Sequence, residues 1–197
     1  MKKTLQDQPF FIFDVESVGL HGEAFAVAGG IYIGGKPVYE FCFDTDPGNA
    51  AGGGADRNWV AENVTISDDH CGQNGIDRRS IFGEKSARGV RNHFWETWME
   101  SKRKFPSILM AGECIWPVEA RFVLACIDDD KDARNWEGPY PFLEISTMMM
   151  AAGMDPMGTY ERLPSESPAH DPLADARLSA RLLKEAIDIL EAKDGNR

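Results

Sequence analysis

The chain has 197 residues, 43% of them apolar and 27% charged, which suffices for one domain with its own core and is short for two. Its 32 acidic and 21 basic residues leave a net charge of −11, which argues against a nucleic-acid coat protein or a ligand of anionic membranes. An enzyme with a local basic groove stays open, because net charge does not say where charges sit.

No run approaches the roughly 20 apolar residues of a membrane span. The polar residues 1–9 lack the apolar core of a signal peptide. Cys42, Cys71, Cys114 and Cys126 show no CxxC pairing, which suits reduced thiols in a cytoplasmic protein. Cys71 beside His70 is the one pair with chemical interest.

Phe10-Phe-Ile-Phe-Asp-Val-Glu16 reads as a strand buried on both faces, near the centre of a sheet. Phe25 to Ile33 is a second strand, with Gly29-Gly30 as a candidate bulge. Gly34-Gly35 signals a two-residue hairpin turn, and Val38 to Phe43 returns as a third strand. Residues 47–83, rich in Gly, Asn and Asp, read as a long irregular insertion holding a short helix around Trp59 to Asn63. Ser86 to Lys104 is helical, with Ala87, Val90, Phe94 and Trp98 at the helical period. Ser107 to Ala111 is a fourth strand. A helix opens at Pro117 and runs to about Ile127, followed by a solvated acidic loop over residues 128–132. Phe142 to Ser146 is a fifth strand, leading into a helix through Met148 to Ala152. In the last helix Asp171 is the N-cap and Pro172 the first residue, with Ala176, Ala180, Leu183, Ile187 and Leu190 as an apolar stripe. The order is three strands and then αβαβα, a mixed α/β sheet flanked by helices.

Asp14 and Glu16 interrupt the most apolar strand, and positions i and i+2 share a face. Like charges there are costly unless something positive offsets them. An exposed strand end would explain them without function; a divalent cation with hard oxygen ligands is the alternative. Glu119 and Asp175 each lie in the first turn of a helix, where the dipole alone can account for one acid. Together with Asp14, Glu16 and the nearby His170 they supply four carboxylates and an imidazole. That set suits two-metal phosphodiester cleavage, with His170 taking the water's proton.

With these residues in place, the chain resembles the DEDDh 3′–5′ exonucleases of the ribonuclease H-like fold. Phe13-Asp14-Val15-Glu16-Ser17-Val18-Gly19-Leu20 is similar to the family's first motif, Asp-x-Glu followed by Gly-Leu. His170-Asp-Pro-Leu-Ala-Asp175-Ala176 is similar to its third, His-x4-Asp-Ala. The middle motif departs: Glu119 stands where the family has a metal-binding Asp, and Gly112-Glu113 replaces a His-Asn pair. Another register would make Glu113 or Asp128 the ligand. The resemblance implies two Mg²⁺ or Mn²⁺ ions held by Asp14, Glu16, Glu119 and Asp175, with His170 as general base. Ser17 would touch the terminal nucleotide and Leu20 its base. The reaction would release nucleoside 5′-monophosphates from a short or single-stranded 3′ end, RNA ahead of DNA. The resemblance also implies a homodimer.

Two other readings stay open: a nucleic-acid-binding protein of the same fold with weakened catalysis, and a nucleotide phosphoesterase. The window 78–104 carries net +5, leaving −16 elsewhere. It is either a solvated helix face or a substrate track, and Arg78 and Arg79 at the end of the 47–83 insertion are its candidate substrate contacts.

Overall fold

The computed structural model describes residues 5–67, 75–83 and 85–195. Six strands form one sheet: β1 (Phe10–Ser17), β2 (Ala24–Ile33), β3 (Lys36–Asp44), β4 (Ile76–Ser80), β5 (Leu109–Gly112) and β6 (Phe142–Glu144), in the order β4-β3-β2-β1-β5-β6. β2 runs antiparallel to β1 and β3, while the pairs β3–β4, β1–β5 and β5–β6 are parallel. All strands except β2 therefore end on the same edge of the sheet. The helices are α1 (Gly54–Asn63), α2 (Ser86–Lys104), α3 (Val118–Asp128), α4 (Lys131–Arg134), α5 (Ile145–Ala152) and α6 (Pro172–Gly195). Among the described residues no helix is long and apolar enough to cross a membrane.

The apolar run of β1 follows from its position between two helical layers. Phe11, Phe13 and Val15 enter a core with Val90, Phe94 and Trp98 of α2 and Phe122 and Cys126 of α3. Phe10 and Ile12 point the other way, onto Ile145 and Met149 of α5 and Leu183 and Ile187 of α6. Alternation along the strand feeds both cores, which removes the polar face that an edge strand would show. Asp14 and Glu16 continue the even-numbered face, toward α6.

The antiparallel meander, α2, β5, α3, β6 and α6 stand close to their expected spans. Gly34 and Gly35 form the hairpin turn with φ of 57° and 73°. Gly29 and Gly30 form no bulge; both keep regular register on both sides. A Cβ on Gly29 would lie 2.2 Å from the Ile12 carbonyl oxygen, so the pair serves close strand approach. The register shifts instead between Ile31 and Tyr32. Pro117 precedes α3 rather than opening it. The β6 strand is shorter than expected because the Glu144 side chain accepts from the Ser146 and Thr147 N–H groups and starts α5 there.

The described residues of 47–83 are more regular than expected. They hold the ten-residue α1 and the edge strand β4. Ile76-Asp-Arg-Arg-Ser80 has three charges in five residues and no apolar alternation, so nothing local marks it as a strand. Charges of this kind suit an exposed sheet edge. Its pairing to β3 is reinforced by the Arg78–Asp44 ion pair. The acidic stretch after α3 is likewise not wholly solvated: Asp129 takes Arg91 of α2 at 2.6 Å, and α4 follows.

One buried charge pair ties α6 to the sheet. Arg177 donates from Nε and Nη2 to the two Glu40 oxygens at 2.8 and 2.7 Å, and the Tyr32 hydroxyl donates to Glu40 Oε1 at 3.0 Å. Arg177→Ala would leave Glu40 buried and unpaired. Urea unfolding should show a loss of about 3–5 kcal/mol, the usual cost of breaking a buried pair from one side. A loss below about 1 kcal/mol would mean the pair is solvated.

Candidate active site

The candidate site lies at the C-terminal half of β1, where elements distant in sequence meet. Asp14 and Glu16 come from β1, Glu119 from the first turn of α3, and Asp175 from the first turn of α6. β5 pairs with β1 only as far as Ile12. Beyond that point the strand's edge is open, and Glu119 comes close enough for the Val15 N–H to favour its ionised form. Glu119 is thus buried and aimed although it belongs to the opposite helical layer.

Asp171 is the cap that sets the position of Asp175. Its Oδ1 accepts from the Leu173 and Ala174 N–H groups, both at 3.1 Å, and its Oδ2 from the Ser67 N–H at 2.9 Å. His170, directly before it, has a left-handed φ of 58°. Its N–H donates to Asp175 Oδ2 at 3.0 Å, and its carbonyl accepts from the Thr65 N–H at 2.9 Å. The imidazole meets the Trp59 ring of α1 edge to face, 5.2 Å between centroids. A non-glycine residue in this conformation is held by its surroundings. Here the contacts come from residues 59–67 and from Asp175.

Glu16, His170 and Asp175 each offer a ligand atom within 4.8 Å of the others. Asp14 and Glu119 join them through charge. Burial raises the Asp14 carboxyl well above its ordinary value, and Glu119, Asp175, Glu16 and Glu113 push it further. Burial, with Asp175, Glu119 and Asp171 adding to it, lifts Glu16 to about 8. Burial lifts Glu119 to about 7 against the pull of backbone hydrogen bonds. Burial also raises Asp175, opposed by Arg162 and His170. The cluster is short of positive charge. Its donors are hard oxygens with one imidazole, and the one guanidinium that meets it, Arg162, lies 2.6 Å from Asp175 Oδ1. These residues fit divalent cations.

The other expected residues fall in three places. Ser17 and Leu20 line a cavity of about 630 Å³ that is also lined by Arg91, Arg121, Phe122 and Asp128. Ser17 Oγ donates to the Gly19 carbonyl at 2.8 Å, and Leu20 is exposed. Glu113 lies close enough to act on Asp14 and accepts from Ser179 Oγ at 2.9 Å, whereas Asp128 is exposed beside Lys131. Arg78 and Arg79 are not brought to the carboxylates. They stand on β4, three strands from β1, paired with Asp44 and Asp77. Much of the 78–104 strip is similarly matched inside the chain: Arg88 and Arg91 face Asp129, and Lys102 faces Glu137. Glu84 of that window, together with His70 and Cys71, lies outside the described residues.

Trp59 and Arg162 are the site residues that sequence reasoning missed. Trp59 had a usable signal, an aromatic in a predicted helix turn. Arg162 had none, since it precedes α6 by ten residues and belongs to no motif. No protein-family model matches the chain, and no curated protein matches it.

The raised carboxyls make a sign-definite prediction. Native Glu16 and Glu119 hold protons that the unfolded chain releases above an ordinary value of 4.5. Their contribution to stability is full below that value and is lost as pH rises through about 7 to 8. In EDTA the melting temperature should fall between pH 5 and pH 8, and Glu16→Gln should flatten the fall. A variant whose profile follows wild type would remove Glu16 as a source.

Proposed function

We propose that this chain is a metal-dependent 3′–5′ exonuclease of the DEDDh type on a ribonuclease H-like fold, acting on RNA ahead of DNA. The observation that carries the reading is the convergence of Asp14, Glu16, Glu119 and Asp175 with His170 at the end of one strand. The mixed sheet with helices on both faces is compatible with that fold.

Asp14, Glu16, Glu119 and Asp175 are the residues that would hold two Mg²⁺ or Mn²⁺ ions. When bound, such ions lower the pKa of a water and stabilise the leaving oxygen. His170 would take that water's proton; its backbone is tied to Asp175 and its ring is set against Trp59. Glu119 is one methylene longer than the family's Asp, and its burial and the Val15 N–H limit where its oxygens can go. The cavity by Ser17 and Leu20 has room for a terminal nucleoside. It exposes Leu20 as an apolar surface for a base, at the mouth of a site that otherwise repels anions. A short 3′ end therefore suits the site better than a long phosphate track.

The test is a labelled oligonucleotide, as RNA and as DNA of one sequence, with Mg²⁺ or Mn²⁺. Stepwise shortening from the 3′ end with release of 5′-monophosphates is expected. No shortening under either ion would sink the enzyme reading and leave nucleic-acid binding. Hydrolysis of mononucleotide phosphoesters alone would favour a phosphoesterase. Asp175→Asn should abolish turnover. His170→Ala should lower the rate by about 10²–10⁴-fold, the range of a positioned base.

A further inference from the structure

Arg162 enters the cluster from the segment between α5 and α6. Its Nη2 lies 2.6 Å from Asp175 Oδ1, and its Nη1 donates to the Glu166 carbonyl at 2.7 Å. Among the described residues it is the one Arg or Lys ion-paired with Asp14, Glu16, Glu119 or Asp175. Its anchor is well built. Glu166 is buried, accepts from the Leu163 N–H at 3.0 Å, and takes Arg181 through two bonds of 2.7 and 2.9 Å. The contact with Asp175 is of another kind. The guanidinium meets Oδ1 closely, yet that oxygen receives no hydrogen bond of good geometry. That single contact, less well directed than the bond to Glu166, makes the Asp175 end the replaceable one.

We propose that Arg162 exchanges partners, holding Asp175 while the cluster is free of metal and a phosphate oxygen of the substrate once a divalent cation takes Asp175. The proposal rests on the exonuclease reading. A guanidinium 2.6 Å from Asp175 Oδ1 competes for that oxygen with any cation it would ligate, because both positive charges draw on one acceptor. Coordination through Oδ1 therefore favours release of Arg162. Its Nη1 bond to Glu166 keeps the displaced group at the rim of the site. A tethered guanidinium fork with its acceptor removed is matched by phosphate oxygens, which accept from it in the same planar geometry. Arg162 thus opposes cation binding in the empty site and favours an anion in the loaded one.

The two halves predict shifts of opposite sign. Calorimetric titration of the full chain with Mn²⁺ alone should give a Kd about tenfold lower in Arg162→Gln than in wild type, one charged contact's worth. Titration with adenosine 5′-monophosphate at saturating Mn²⁺ should give a Kd about tenfold higher in the same variant. Arg162→Lys keeps the charge without the fork, so its Mn²⁺ affinity should stay near wild type while its nucleotide affinity falls. A purely structural role would weaken both ligands together in the glutamine variant, and that result overturns the proposal. So does an unchanged constant for either ligand. Absence of Mn²⁺ binding in wild type and both variants overturns the exonuclease reading along with it, whereas normal Mn²⁺ binding with unshifted constants overturns the role of Arg162 alone.

Discussion

Asp14 and Glu16 stand side by side on the inner face of a central strand, with Glu119 and Asp175 packed around them. Like charges in a poorly solvated place repel strongly, and burial adds to the cost of ionising each one. The protein holds them together by anchoring each from outside the cluster. Glu119 is tied to the Val15 backbone, Asp175 to the His170 backbone and Arg162, and Glu113 to Ser179. Such an arrangement is destabilising for the folded protein by itself.

The fold carries that cost with two independent cores. The aromatic cluster of Phe11, Phe13, Phe41 and Phe94 stacks on the α2–α3 side, while the α5–α6 side is mostly aliphatic, with Phe10 and Tyr32 among it. β1 is clamped between them, so the positions of Asp14 and Glu16 follow from packing rather than from their own interactions. The Arg177–Glu40–Tyr32 network then fixes α6 against β3, and with it the approach of Asp175. Asp171 links the start of α6 to residue Ser67, so the segment after α1 shares in placing His170.

Much of this was legible in the chain itself because the relevant signals are local. Period-2 and period-3.6 apolar patterns marked β1, β2, β3, α2 and α6, and the Asp-Pro cap marked where α6 begins. The four carboxylates and His170 were legible as chemical oddities: acids in or beside apolar stripes. β4 was not, because its residues are charged and its strand character comes from pairing with β3. Arg78 and Arg79 looked free for the same reason, since Asp44 and Asp77 meet them only once that strand forms.

The sequence by itself determined the order of the elements, the buried strand and the residues able to hold a cation, since periodicity, capping and charge act over a few neighbours. Only the tertiary structure decided which of those residues meet and what else stands among them. Glu119 reaches β1 because β5 is short, Trp59 reaches His170 because α1 packs beneath it, and Arg162 reaches Asp175 because Glu166 holds its turn. The first two contacts join positions far apart along the chain, where no local pattern constrains the pairing and the packing of whole elements selects it, while the third depends on the turn before α6.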